Sequence, residues 1–132
     1  QAAIARWAAM VDSAARNATE IEQISLSHPM TVDQAYAVQQ AAIQQRLRRG
    51  EVRVGLKMGL TSRAKMVQVG VDEVIWGRLT DAMRLEDNGV LAMERYVHPR
   101  IEPEIAFLLK APLTGDISPM EAMAAVSAIV RR

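Results

Sequence analysis

The hydrophobic periodicity of this chain changes at Gly50, and this change constrains the fold more than any other feature of the sequence. Before it, apolar residues recur every three or four positions over residues 2–16 and 31–50, which is typical of amphipathic helices. Thr31 followed by Gln34 has the form of a capping box, and glycine is favoured just past a helix end. After it, apolar and polar residues alternate in short runs, which predicts strands. The 132 residues therefore predict an α+β fold.

Directly after this change in periodicity, the sequence predicts a strand, a short helix and a second strand. The strands cover residues 52–60 and 74–79. Ser62 can cap a helix over residues 63–69, which we expect to end at Gly70.

The last third is predicted to contain further strands and one helix. An Asn-Gly pair at residues 88–89 is a common hairpin signal, and we expect strands between residues 90 and 109. Ser118, followed at once by proline and three residues later by Glu121, is typical of a capped helix start. We expect that helix to cover residues 119–130.

The composition excludes several classes of function. The formal net charge is +1, which gives no long-range attraction to nucleic acid or to an anionic membrane. The chain has no cysteine, so neither a disulfide nor a thiolate metal site is possible. No run of about 18 apolar residues suggests a transmembrane helix. We expect a cytoplasmic protein that binds neither nucleic acid nor a membrane.

Glu102 and Glu104 are the first candidates for chemistry. Alternating apolar residues from 101 to 109 predict a strand around them, and on a strand such a pair faces one side, about 6.6 Å apart. Two carboxylates this close repel each other, and a hard divalent cation would resolve the conflict. Pro103 cannot donate to a β-ladder, which favours an edge or a bulge. The alternative is that both glutamates lie on the solvent side of an amphipathic strand.

Lys57 is the second candidate, because it lies in an apolar strand between Gly55 and Gly59. Glycines allow a ligand to approach the backbone closely. Desolvation at such a position lowers the pKa of a lysine, so that it can transfer a proton, or the lysine can pair with an anionic substrate. The alternative is an ordinary lysine on the solvent face of the strand.

Two sets of arginines are expected to be ordinary surface groups. Arg46, Arg48 and Arg49 lie at the end of the second helix, where solvated cations complement the helix dipole. Arg63 and Arg78 are candidates to hold a substrate carboxylate, but a surface role is the simpler expectation for each.

Five ordered motifs together resemble the 2-oxopent-4-enoate hydratase / 4-oxalocrotonate (2-oxo-3-hexenedioate) decarboxylase family of the fumarylacetoacetate hydrolase superfamily. They are Gly-Leu-Lys-Met-Gly-Leu-Thr-Ser (55–62), Ala-Lys-Met (64–66), Gly-Arg-Leu-Thr-Asp (77–81), His-Pro-Arg-Ile-Glu-Pro-Glu (98–104) and Lys-Ala-Pro-Leu (110–113). Their form is more similar to the decarboxylase branch than to the hydratase branch. The family's chain is about twice as long, so the resemblance implies a truncated chain, with an N-terminal helical region at residues 1–50 and the first half of a β-rich catalytic domain at 51–132.

The resemblance also implies a metal site and its neighbours. Glu102 and Glu104 match a pair that binds Mg²⁺ or Mn²⁺ with a third acidic ligand, which in the family lies beyond the end of this chain. Lys57 is implied to orient the substrate or to assist proton transfer, and Asp81 to orient Lys57. The substrate-binding residues that it implies are Leu60, Thr61 and Ser62. Pro103 departs from the family, which usually has a small residue there.

Three functions follow as alternatives. The first is the metal-dependent decarboxylation of 2-oxo-3-hexenedioate to 2-hydroxypenta-2,4-dienoate in meta-cleavage degradation of aromatic compounds. The second is the related hydratase, which adds water to 2-hydroxypenta-2,4-dienoate. The third is an inactive, truncated chain that acts as an interaction module. The resemblance implies a small 2-oxo acid as substrate, a homo-oligomer, and association of the decarboxylase with its partner hydratase.

Overall fold

The computed structural model describes residues 1–131 and contains helices and strands in the mixture that the α+β prediction requires. The elements are α1 (Ala2–Arg16), α2 (Ile24–Ser27), α3 (Val32–Arg48), β1 (Arg53–Gly59), α4 (Arg63–Val69), β2 (Ile75–Thr80), β3 (Ile105–Leu109), α5 (Pro119–Ala124) and β4 (Val126–Arg131). They form two compact units, one over residues 1–98 and one from Pro99 onward. These units are defined by contacts within the described residues, and the predicted domain boundary at residue 50 stays a prediction.

Helices α1 and α3 pack against each other and hold the apolar core of the first unit. Trp7, Ala8 and Val38 are buried between them. Both helices match their predictions, and the capping box is confirmed: Thr31 Oγ1 accepts the N–H of Gln34 at 3.2 Å, and Gln34 Oε1 accepts the N–H of Thr31 at 2.9 Å. Within residues 1–131, no helix is long and apolar enough to cross a membrane.

Strands β1 and β2 form an antiparallel pair, and α4 connects them. Lys57 lies opposite Gly77 in the register, which is irregular between Arg53 and Gly55. Helix α4 begins and ends as predicted: Ser62 Oγ accepts the N–H of Lys65 at 3.5 Å, and the chain leaves the helix in the left-handed conformation after Val69.

Helix α3 also contacts β2, which is why the first unit extends well past residue 50. The Tyr36 and Trp76 rings stack with their centroids 4.8 Å apart, and the Tyr36 hydroxyl accepts the backbone N–H of Trp76 at 3.2 Å. Gln39 donates to the Trp76 carbonyl and accepts from Arg78, each at 3.0 Å. The Arg78 guanidinium lies 4.5 Å from the Trp76 ring centroid. Arg78 is therefore held by α3, and the expectation of an ordinary surface arginine was wrong for it.

The second unit is built on an antiparallel pair, β3 with β4, and its final helix is shorter than predicted. Helix α5 starts at its predicted capping box but ends at Ala124, so the predicted helix over residues 119–130 was wrong in its second half. The residues that follow form β4, because Val126, Ile129 and Val130 are β-branched and pair with β3.

The segment between β2 and β3 contains no strand within its described residues, 81–104, although strands were predicted from residue 90. The Asn-Gly pair does form a turn: Asn88 has a φ of +58°, and the Gly89 N–H donates to the Glu86 carbonyl at 2.8 Å. The turn joins irregular segments and not two strands.

Candidate functional site

Glu102 and Glu104 lie immediately before β3, which begins at Ile105. The prediction that a strand carries them is therefore wrong. Pro103 gives the physical reason, because it has no N–H to donate to a β-ladder. Both glutamates are exposed, so their carboxylates can stay solvated. Carboxylate oxygens such as theirs are hard donors, the type that Mg²⁺ and Ca²⁺ prefer.

The acidic pair is not completed into a metal centre within residues 1–131. No group of three or more His, Cys, Asp or Glu side chains that could hold a metal ion is present among residues 1–131. The chemistry of the two carboxylates fits Mg²⁺, Mn²⁺ or Ca²⁺, which prefer oxygen ligands, but a site of three protein ligands needs one from elsewhere.

Lys57 lies in the middle of β1 and is exposed. The residue opposite is Gly77, and a Cβ atom added there would meet no other atom within 4 Å. Gly55, two residues before the lysine, has the same open surroundings. Open space therefore lies beside the backbone at Gly55 and Gly77, and the approach of a ligand to Lys57 stays a prediction.

Leu60 takes a left-handed backbone conformation, with a φ of +55°, at the turn from β1 into α4. This conformation is rare for a bulky residue and marks a strained position. The turn leaves Thr61 exposed, whereas the Ser62 hydroxyl caps α4. His98, at the start of the motif that holds the acidic pair, is also left-handed with a φ of +48°. Sequence patterns did not indicate either conformation.

Asp81, directly after β2, is hydrogen-bonded to Val52, directly before β1, at one end of this antiparallel pair of strands. Its Oδ1 accepts the N–H of Val52 at 2.9 Å and the N–H of Ala82 at 3.0 Å. Its own N–H donates to the Val52 carbonyl at 2.9 Å. These bonds give Asp81 a role in positioning β1, and its predicted action on Lys57 stays a prediction.

An ion pair between a buried aspartate and a partly exposed arginine, which the sequence did not reveal, links α1 to the end of α3. Asp12 is only 5% exposed, and its two oxygens accept from the Arg49 guanidinium at 2.6 and 2.7 Å. This hydrogen bonding lowers the pKa of the Asp12 carboxyl, against the effect of its burial. The solvated helix end expected for Arg46 and Arg49 was wrong, because Arg46 also pairs with Glu51, at 3.1 Å.

The Glu51 carboxylate extends this network to β2. Its Oε2 accepts from the Thr80 hydroxyl at 2.6 Å, and Thr80 is only 1% exposed. The sequence contains one sign of this ion pair, which is an aspartate among the alanines of α1. Its partner lies 37 residues away, so local patterns could not identify it.

Comparison with known proteins supplies the evidence on ancestry. No family model matches the chain. The chain is 47% identical over 126 residues to a 4-oxalocrotonate decarboxylase of a Pseudomonas species, covering 96% of this chain and 49% of that relative. It is 42% identical to the Pseudomonas putida 4-oxalocrotonate decarboxylase and 37% identical to the Escherichia coli 2-oxo-hept-4-ene-1,7-dioate hydratase, covering in each case 80% of this chain and 40% of the relative.

The fold has solved counterparts. A 4-oxalocrotonate decarboxylase from Pseudomonas putida G7, complexed with magnesium and adipate, matches 97% of this chain and 49% of its own with a TM-score of 0.92 and 37% identity. Its complex with calcium and acetate matches with a TM-score of 0.91 and 38% identity. The chain spans about half the length of the relatives it matches. The resemblance in the motifs is thus confirmed, and the chain belongs to the family of 4-oxalocrotonate decarboxylases and related hydratases.

Proposed function

We propose that this protein decarboxylates 4-oxalocrotonate (2-oxo-3-hexenedioate) to 2-hydroxypenta-2,4-dienoate in meta-cleavage degradation of aromatic compounds. The observation that carries the proposal is the 47% identity to a decarboxylase over 96% of this chain. The hydratase relative from Escherichia coli is 37% identical over a shorter match. The substrate is a small 2-oxo acid with a second carboxylate at its far end.

The proposed cofactor is Mg²⁺ or Mn²⁺, held by Glu102 and Glu104 together with an acidic ligand outside this chain. The exposed carboxylates and the magnesium complex of the Pseudomonas putida G7 relative support this assignment. When bound, such a cation supplies Lewis acidity and stabilises negative charge that develops on the substrate's oxygens.

The proposed roles of the other residues follow from the shape of β1 and of the turn after it. Lys57 orients the substrate or moves a proton, because its ammonium is a donor beside the open space over Gly77. Leu60 turns the backbone so that Thr61 is exposed toward a ligand, whereas Ser62 is occupied in part by its cap. Asp81 holds β1 in place and, in this proposal, keeps Lys57 oriented.

Association with further protein is also proposed, as a cytoplasmic homo-oligomer and as a complex with the partner hydratase. Large apolar side chains on the strands support association, because soluble proteins rarely leave such patches uncovered. Val54 is 59% exposed on β1, and Ile105 and Phe107 are 61% and 53% exposed on β3.

The test measures CO₂ release from 4-oxalocrotonate by the purified protein, whose intact mass is determined on the same sample. We expect turnover that EDTA abolishes and that Mg²⁺ restores. Glu102→Gln should lower kcat/KM about 100-fold or more, because it removes a charged metal ligand. Glu73→Gln, at another exposed glutamate, is the matched control and should leave turnover unchanged.

Three outcomes would contradict the proposal. If turnover persists in EDTA or survives Glu102→Gln, the metal assignment is wrong. If the protein releases no CO₂ but hydrates 2-hydroxypenta-2,4-dienoate, the chain is a hydratase. A mass of 14.6 kDa with neither activity would favour an inactive interaction module.

A further inference from the structure

A cleft in the first unit is lined by an unusual number of arginines. It has a volume of about 570 Å³, which is in the usual range for small-molecule sites. The end of α1, the end of α3 and the irregular segment after β2 form its walls. The arginines that line it are Arg16, Arg46, Arg49, Arg84 and Arg95. None of the lining residues is among the predicted site residues.

Carboxylates do not neutralise the cleft completely. Glu51 and Glu94 also line it, which leaves an excess of three positive charges from five arginines and two glutamates. The partners just outside the lining, Asp12 on Arg49 and Glu86 on Arg84, reduce the excess to one. The Arg84–Glu86 pair is more than 70% exposed on both sides, so it holds Arg84 only weakly.

Besides Arg84, the arginines divide into a pair held by carboxylates and a pair that makes no hydrogen bond within residues 1–131. Arg46 and Arg49 are held by Glu51 and by buried Asp12, so they form a preorganised wall. Arg16 and Arg95 make no hydrogen bond or ion pair with any residue in the described part of the chain, 1–131. Their guanidinium groups are therefore available to a ligand.

We propose that this arginine cleft binds a compact anion with two or more negative charges, of the phosphate or dicarboxylate class. A planar guanidinium matches the paired oxygens of both classes in two parallel hydrogen bonds. The Tyr96 hydroxyl, on a side chain that lines the cleft and is half exposed, adds a neutral donor. Glu94 is the acidic group in the lining that opposes binding, because it has no cation partner among residues 1–131. The site does not depend on the proposed function.

The test is isothermal titration calorimetry of the protein at low salt. Inorganic pyrophosphate is the ligand in one series of titrations and succinate is the ligand in the other. We expect at least one probe to bind, and its affinity to fall as salt is added. The double variant Arg16→Gln/Arg95→Gln should bind that probe at least about tenfold more weakly, since charge-assisted hydrogen bonds are lost. Glu94→Gln should bind it more tightly, by roughly twofold to fivefold, because a repelling charge has gone.

The control is Arg6→Gln, which removes an exposed arginine of α1 that does not line this cleft and should leave the affinity unchanged. The probe that binds, pyrophosphate or succinate, identifies the class of anion. The proposal is overturned if neither probe binds, or if the double variant binds as tightly as the parent. Equal weakening by Arg6→Gln, or no gain with Glu94→Gln, overturns it as well. Glu94→Gln keeps the test valid if the double variant does not fold.

Discussion

Charged residues stand among apolar ones in two regions of this molecule, and the two regions treat them differently. In α1, the Asp12 carboxylate is buried and the fold supplies Arg49 as its partner, at 2.6 and 2.7 Å. In the two motif segments, Lys57, Glu102 and Glu104 are exposed to solvent. A charge within an apolar run can therefore be buried beside a partner that the fold supplies, or it can lie at the exposed surface.

The largest expected effect concerns the accessible charge of β1. Lys57→Met should lower kcat/KM for 4-oxalocrotonate about 100-fold, the usual range for loss of a group that moves a proton. The free energy of unfolding should change far less than the activity, because interactions of exposed charged groups contribute little to stability. Steady-state kinetics and urea unfolding measure the two quantities. Lys65→Met, at an exposed lysine of α4, is the control, and an equal loss of activity there would break the comparison.

The Asp12–Arg49 pair should contribute to stability, in contrast to Lys57. Asp12→Ala should reduce the free energy of unfolding by about 2 kcal/mol, because hydrogen bonds between charged groups are lost. Urea unfolding followed by circular dichroism measures this loss. Arg48→Ala, at an exposed arginine in the last turn of α3, should cost far less. If both variants unfold alike, the Asp12–Arg49 pair does not stabilise the fold.

Asp12 should also make stability depend on pH. Its pKa is lowered in the folded protein, mainly by the hydrogen bond to Arg49, so the unfolded chain takes up a proton at higher pH. The stabilisation is therefore complete above the unfolded pKa, near 4, and is lost as the pH falls through the lower folded pKa. Asp12→Asn should flatten the fall in urea midpoint below about pH 4. Identical pH profiles for parent and variant would contradict this.

The smallest expected effect concerns strain in the motif after β1. Leu60→Gly should raise the free energy of unfolding by at most about 1 kcal/mol, because glycine accepts the left-handed conformation but also gains freedom in the unfolded chain. The same substitution should lower turnover if the strained backbone presents Thr61 to the substrate. Thermal unfolding and kinetics on one sample test both effects. A loss of stability would show that Leu60 packing outweighs the strain.

Short-range signals predicted much of the fold. The capping boxes at Thr31 and Ser118 and the left-handed glycine after α4 each depend on residues within one turn of the chain, and the structure confirms all three. Pairing between distant segments was not predictable. The residues after Ala124 have a helical spacing of apolar groups, yet they form β4, because β3 supplies a pairing partner about 20 residues earlier.

The sequence was sufficient to identify the family of the candidate site, but it was less successful in predicting the local structure around the site residues. The motifs identified the family, and the comparisons confirm it. The predicted strand over Glu102 and Glu104 was wrong. The prediction gave more weight to the alternation of apolar residues than to Pro103, which has no N–H to donate to a β-ladder. The partner of Asp12 lies in another helix, and such a tertiary contact leaves no periodic pattern.

The hydrogen bond from Thr80 to Glu51 has a consequence for how the first unit opens. Through Glu51 and its arginine partners, one chain of polar contacts connects the end of β2 with α3 and α1. To separate the sheet from the helices, these bonds must break together. Amide protons of α3 and β2 should therefore exchange with deuterium at closely similar rates, as members of a single cooperative opening unit.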